Sequence, residues 1–185
     1  MKNIITIVFI FLTAVGYSQE QKHLFSGGKV TSGFGSFLLE AAQVQGRSTL
    51  IKGFDMGLSV NKTQMGMYYT WSSDGDEREG SFSYRHIGAM LGYNLGNHKI
   101  VHPYVMTKFG IGNQKSFLSG ERIGQTIIAV KPSLGLEVNI YEEMKVSLVA
   151  SYNYFNRFEI DQATETLDLN GFSYGVIFTW GWWRE

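Results

Sequence analysis

From residue 32 to the end of the chain, apolar side chains recur at every second position, and the recurrence breaks at regular intervals. The stretch SLGLEVNIYEEMKVSLVASY, residues 133–152, shows the pattern clearly. Leu134, Leu136 and Val138 alternate with Ser133, Gly135, Glu137 and Asn139. A short acidic turn follows, and Met144, Val146, Leu148, Ala150 and Tyr152 resume the alternation. A period of two belongs to strands, whose successive side chains point to opposite faces. No stretch of ten or more residues past the N-terminus carries a convincing helical period. Eight strands are predicted, over about 32–43, 48–60, 63–72, 84–95, 100–112, 125–139, 144–156 and 170–183. The first is the least regular: Phe37, Leu39 and Ala41 share a face, while Phe34 and Leu38 break phase.

The two faces differ in kind. One carries residues such as Phe54, Met56, Leu58, Met67, Tyr69, Ile87, Leu91, Val105, Phe109, Leu134, Leu136, Leu148, Phe178 and Trp180. The other carries Gly57, Gly66, Gly88, Gly110, Ser133, Gly135, Ser147, Ser151, Asn153, Ser173 and their like, with Asp55, Lys108, Lys131, Glu137 and Lys145 among them. The connections alternate as well. Those at Asn61-Lys62, 96–99 and 140–143 are short, and those at 73–83, 113–123 and 157–169 are long and polar. The link near Gln45–Arg47 departs from this, being short where a long one is expected. An even strand count puts both ends of the sheet on the side of the short turns. Pro132 falls mid-strand on the apolar face, where it removes a ladder donor, so a bulge is expected there.

The first twenty residues, MKNIITIVFIFLTAVGYSQE, follow a different grammar. Lys2 makes a basic start, Ile4 to Val15 is an apolar run too short for a spanning helix, and Gly16 and Ser18 suit a signal-peptidase site. Residues 1–18 are expected to be a cleaved signal peptide, and 19–185 a single domain; a buried N-terminal strand or helix is the alternative. The absence of cysteine excludes a disulfide framework and a lipoprotein-type anchor. Sixteen basic and sixteen acidic residues leave no basic stripe for nucleic acid.

Alternation alone does not say which face is wet. In a soluble barrel or sandwich the apolar faces meet inside; in a membrane barrel they meet lipid. Three considerations favour the membrane. The interior of an eight-stranded barrel is only just wide enough to be filled by side chains, so it suits Gly and Ser better than many Trp, Tyr and Phe. The Gly/Ser faces carry few charges for a soluble surface, which is typically about 25–35% charged. Trp71, Tyr93, Tyr152, Tyr154, Phe172, Trp180 and Trp182 fall toward strand ends, where amphipathic rings form the girdles of membrane barrels. The fold class expected is therefore all-β: an eight-stranded, antiparallel, up-and-down transmembrane β-barrel. Asp55, Lys108, Lys131, Glu137 and Lys145 then point into the lumen, either as a charge network or as separate groups near the water at the barrel ends.

The Gly-rich opening SGFGSFLLEAAQVQGRSTLIKGFDMGLSVNKTQMGMYYTW, the HPYVMTKFGIG strand, the KPSLGLEVNIYEEMKVSLVASYNY hairpin and the last strand GFSYGVIFTWGWW resemble small outer-membrane β-barrel proteins of Gram-negative envelopes, similar in size to OmpA- and OmpX-type barrels. The resemblance covers nearly the whole chain after residue 18. Barrels of that kind usually end on an aromatic residue that the insertion machinery reads; here Arg184 and Glu185 follow Trp182-Trp183. The resemblance implies the outer membrane as location, lipopolysaccharide and phospholipid as surroundings, and the barrel-insertion machinery as partner.

The function expected is structural or surface-interacting, by a monomer without cofactor, metal or catalytic activity, whose interior is largely filled and is not an open pore. A porin-like channel needs more strands. Two other readings stand beside it. One is a secreted soluble barrel holding an apolar ligand, as lipocalins do. The other is a rim-site outer-membrane enzyme that modifies lipids, with His86 or His102 in its site. His98 and His102 have zinc-like spacing only on a helix; on a strand they stand about 13 Å apart. The hairpin register expected puts His86 near Lys108 and no acid. The four acids of 74–79 lack the spacing of a calcium loop, and Arg78 opposes a cation. Asn61-Lys62-Thr63 matches a glycosylation sequon by chance.

Overall fold

The computed structural model describes residues 30–44, 47–73, 81–95, 100–118, 121–157 and 170–183. Eight strands follow in chain order: β1 (Val30–Val44), β2 (Arg47–Val60), β3 (Thr63–Ser73), β4 (Phe82–Asn94), β5 (Val101–Leu118), β6 (Glu121–Tyr141), β7 (Met144–Arg157) and β8 (Gly171–Trp183). Each pairs antiparallel with the next, and β1 pairs with β8, from Ser32 opposite Trp183 to Ala42 opposite Ser173. The sheet is a closed barrel in strand order. Closure leaves no edge, so the ladders can satisfy the backbone without help from solvent.

The apolar stripe faces outward. Leu136 and Trp180 are 51% and 50% exposed, while Ser147, Ser151 and Ser173 are buried inside. The turn after β2 is tight because Asn61 takes a positive φ of 56°, a conformation that Asn tolerates better than most residues. Phe34 and Leu38 do not break the phase of β1. They are inward residues, buried in the lumen with Tyr68 and Ile177.

Two expectations about connections change. Of the polar segment 113–123, residues 113–118 and 121–123 are strand and not loop. β5 and β6 stay paired from Val101 opposite Val138 up to Leu118 opposite Glu121, so only Ser119-Gly120 lies between them. Polarity misleads here, because a ladder needs backbone partners and not apolar side chains. At 18 and 21 residues these strands exceed the roughly 9–11 that a tilted span requires. Pro132 makes no bulge. β6 runs past it in unbroken register with β5, where it faces Thr107. On the β7 side the ladder lapses between Val130–Tyr154 and Ser133–Ser151 and resumes without a shift. The missing donor costs a local gap in pairing, and the ring sits exposed on the outer face. The register shift on that hairpin lies at the turn, between Asn139 and Tyr141.

Inward aromatic rings lie over glycines of neighbouring strands. A β-carbon at Gly135 would come within 2.6 Å of Tyr104 Cζ and 2.7 Å of the Leu148 carbonyl. Gly135→Val is expected to destabilise the folded barrel by about 1–3 kcal/mol through overpacking, read from urea titration in detergent. Gly124, with nothing within 4 Å of such an atom, accepts the same change without that penalty. The expected signal peptide and the segments 74–80 and 158–169 lie outside the described residues.

Candidate functional site

The inward faces gather Glu40, Asp55, Lys108, Lys131, Glu137 and Lys145. Lys108 of β5 donates to both oxygens of Asp55 of β2, at 2.6 and 2.8 Å. Its ammonium also lies 5.3 Å from the centre of the Tyr68 ring. Lys145 of β7 donates to Glu137 of β6 at 2.9 Å. Lys131 does not join Glu137. It crosses the lumen from β6 to β1 and donates to Glu40, which also accepts from Ser173 at 2.9 Å and Ser151 at 3.2 Å. Three buried carboxylates thus each hold a lysine, as charges removed from water must.

Glu40 and His102 complete this set; sequence reasoning passed over Glu40 and considered His102 only as a member of an enzyme's rim site, not as a lumen partner of Glu137. Glu40 was hidden by the irregular phase of its strand. His102 was legible, since it alternates with outward Val101 and Pro103. Its Nε2 lies 3.0 Å from Glu137 Oε1, fully buried, at the short-turn end of β5. By register His86 stands opposite Gly112 and Lys108 opposite Met90, and both side chains meet Tyr68 inside the barrel. The difference from the expected pairing arises at the connection before β5: Asn94 pairs with Tyr104 and the Leu95 N–H donates to the Pro103 carbonyl, so the ladder closes on a longer connection than the expected 96–99. His86 Nδ1 is 3.0 Å from the Tyr68 hydroxyl, and the ring packs against Tyr84 and Phe155. Toward the loop end, Ile51, Phe82, Tyr84, Ile127 and Phe155 form an apolar cluster inside the barrel. Among the described residues, no group of three or more His, Asp or Glu side chains is placed to hold a metal ion.

The outer wall has its own layering. Trp71, Tyr152, Tyr154 and Phe172 face outward near the loop end, and Tyr93, Trp180 and Trp182 face outward near the short-turn end. Tyr69, Tyr141 and Tyr174 are also exposed at these levels and were not assigned to the girdles from the sequence. Phe172 to Trp182 spans about 33 Å of strand, or about 25 Å along the barrel axis at a tilt of about 40°, the height of an outer-membrane apolar band.

A family model described as the outer membrane protein beta-barrel domain matches residues 7–179. The chain belongs to this family. Among solved structures, this outer-membrane barrel is similar to Neisserial surface protein A, with a TM-score of 0.58, 16% identity, and coverage of 84% of this chain and 97% of that one. It is also similar to Ail, the attachment invasion locus protein of Yersinia pestis (TM-score 0.50, 13% identity, 83% and 99% coverage). A third similar structure is OprG of Pseudomonas aeruginosa (TM-score 0.50, 10% identity, 85% and 99% coverage). At these identities the likeness concerns the fold. A comparison with curated proteins finds no match.

The outer-membrane barrel therefore sits in the outer membrane with its apolar band against lipid, and the soluble-barrel reading falls with the outward orientation of Leu136 and Trp180. In barrels of this kind the short turns are periplasmic and the longer connections extracellular. His102 then lies at the periplasmic end, away from an outer rim.

Proposed function

We propose that this chain is a monomeric, non-catalytic envelope protein with a structural or surface-interacting role, whose lumen is closed to solutes. Residues 1–18 direct export and are removed; residues 19–185 are inserted as one barrel by the insertion machinery and contact lipopolysaccharide and phospholipid. The observation that carries the closed lumen is the ion-paired cross-section. Lys131 reaches Glu40 across the interior from β6 to β1, with the apolar cluster of Phe82, Tyr84 and Phe155 on its loop side. Opening a path would separate buried ion pairs, which costs several kcal/mol each.

The protein reconstituted into lipid vesicles tests this. Expected is a heat-modifiable gel band in the membrane fraction and no swelling of vesicles in small sugars. Swelling at a porin-like rate, from a sample shown to be folded by its band, overturns the closed lumen while leaving the barrel in place.

A further inference from the structure

On four neighbouring strands the outer wall changes character in one step. Phe54, Tyr69, Ile87 and Ile111 lie side by side across β2 to β5. The next outward row toward the loops reads Lys52, Trp71, Arg85 and Asn113. Two positions beyond Asn113 is Lys115, opposite Ser83. Lys52, Arg85 and Lys115 are all exposed, and none makes an ion pair among the described residues. Every described acidic side chain is elsewhere: Glu40, Asp55 and Glu137 are in the lumen, and Glu142 and Glu143 are in a short turn. A cleft on this wall is lined by Tyr69, Trp71, Ser83, Arg85, Asn113 and Lys115. Its floor is a stacked pair, Trp71 on Tyr69 at 5.4 Å between ring centres.

We propose that Arg85, Lys115 and Lys52, with the Trp71–Tyr69 pair, bind the phosphate groups of a phosphorylated glycolipid of the outer leaflet. This rests on the chain being an outer-membrane barrel. The level of the site follows from the wall itself, because on β4 and β5 Arg85 and Lys115 stand beyond the last described outward apolar residues, Ile87 and Ile111, while on β2 the exposed Leu50 still lies on the loop side of Lys52. Arg in mid-band is costly, but at the headgroup level it is not. A guanidinium binds phosphate through two parallel hydrogen bonds, and a lysine adds a point charge. Lys52 and Arg85 flank Trp71 and stand two strand spacings apart, about 10 Å. Lys115 is a diagonal neighbour of Arg85, within reach of a long side chain. Cations so spread exceed what one phosphodiester headgroup can engage, so a glycolipid with more than one phosphate fits better. Trp71 offers a ring face at the level of its sugars.

Folded protein, verified by its heat-modifiable band, is placed in phosphatidylcholine nanodiscs and titrated with diphosphorylated lipid A, with bound lipid counted by native mass spectrometry. Arg85→Gln/Lys115→Gln is expected to weaken binding at least tenfold. Lys62→Gln, in the opposite turn, is expected to leave it unchanged. Ser83→Glu places an acid between the two cations and is expected to weaken binding as the double variant does, should that variant fold poorly. Dephosphorylated lipid A and phosphatidylglycerol are expected not to compete. Equal binding by the Arg85/Lys115 variant overturns the proposal, as does an equal loss in Lys62→Gln. Equal competition by phosphatidylglycerol also overturns it, and would reduce the cations to generic headgroup contacts. Failure of the band to shift on heating would instead indict the membrane-barrel reading itself.

Discussion

Replacing Lys131 with methionine is expected to destabilise the folded barrel by about 3–5 kcal/mol, because it leaves the Glu40 carboxylate buried without its cation. Ser151 and Ser173 still donate to Glu40, but two hydroxyls do not replace an ammonium in a lumen where Glu40 is 2% exposed. Glu40→Leu is expected to cost a similar amount by stranding Lys131. The double replacement Glu40→Leu/Lys131→Met removes both charges, fills the space with apolar volume and is expected to recover most of the loss. The check is a double-mutant cycle from urea titration in lipid vesicles, followed on gels by band mobility. Additive losses would mean that the two groups stabilise the barrel independently, and the closed cross-section would lose its main support.

Arginine in place of Leu134 is expected to cost about 2–4 kcal/mol, and arginine in place of Ile140 no more than about 1 kcal/mol, because the penalty for a charge on the lipid face depends on depth. Leu134 lies midway along the apolar stretch of β6, and Ile140 lies at its periplasmic end. Both are exposed, at 59% and 46%. In water, replacing side chains so exposed usually changes stability by no more than about 0.5 kcal/mol. A large loss at the more exposed position is the signature of lipid as the solvent. The measurement is folding into vesicles as a function of urea. Equal small losses at both positions would contradict an outward face held against acyl chains.

The strands were legible because their signal is local. Whether Leu134 and Ser133 point to opposite faces depends only on the pleat, and the pleat is the same in any sheet. The direction of the faces was legible through size and charge: rings as large as Trp180 do not fit in number inside eight strands. The boundaries were less so. Asn113, Gln114 and Lys115 read as loop because they are polar, yet they extend β5, since pairing with β6 satisfies their backbone whatever their side chains prefer. Pro132 read as a bulge, yet its neighbours hold the register across the gap that it leaves.

The lumen charges divide along the same line. That Asp55, Lys108, Lys131, Glu137 and Lys145 share the inner surface followed from alternation. Which of them meet did not. Lys145 finds Glu137 across one hairpin, eight residues apart in sequence, while Lys131 finds Glu40 at a separation of 91. Only closure brings β1 within reach of β6, and only the final register sets which residues share a level. The sequence by itself determined the all-β class, the strand count, the orientation of the apolar stripe and the membrane as its solvent, because each follows from period, size and charge read over a few residues. The tertiary structure alone decided the partners inside the barrel, the height of the β5–β6 hairpin and the cationic cleft at Arg85. These depend on how strands distant in sequence are staggered against one another, and no local pattern encodes that stagger.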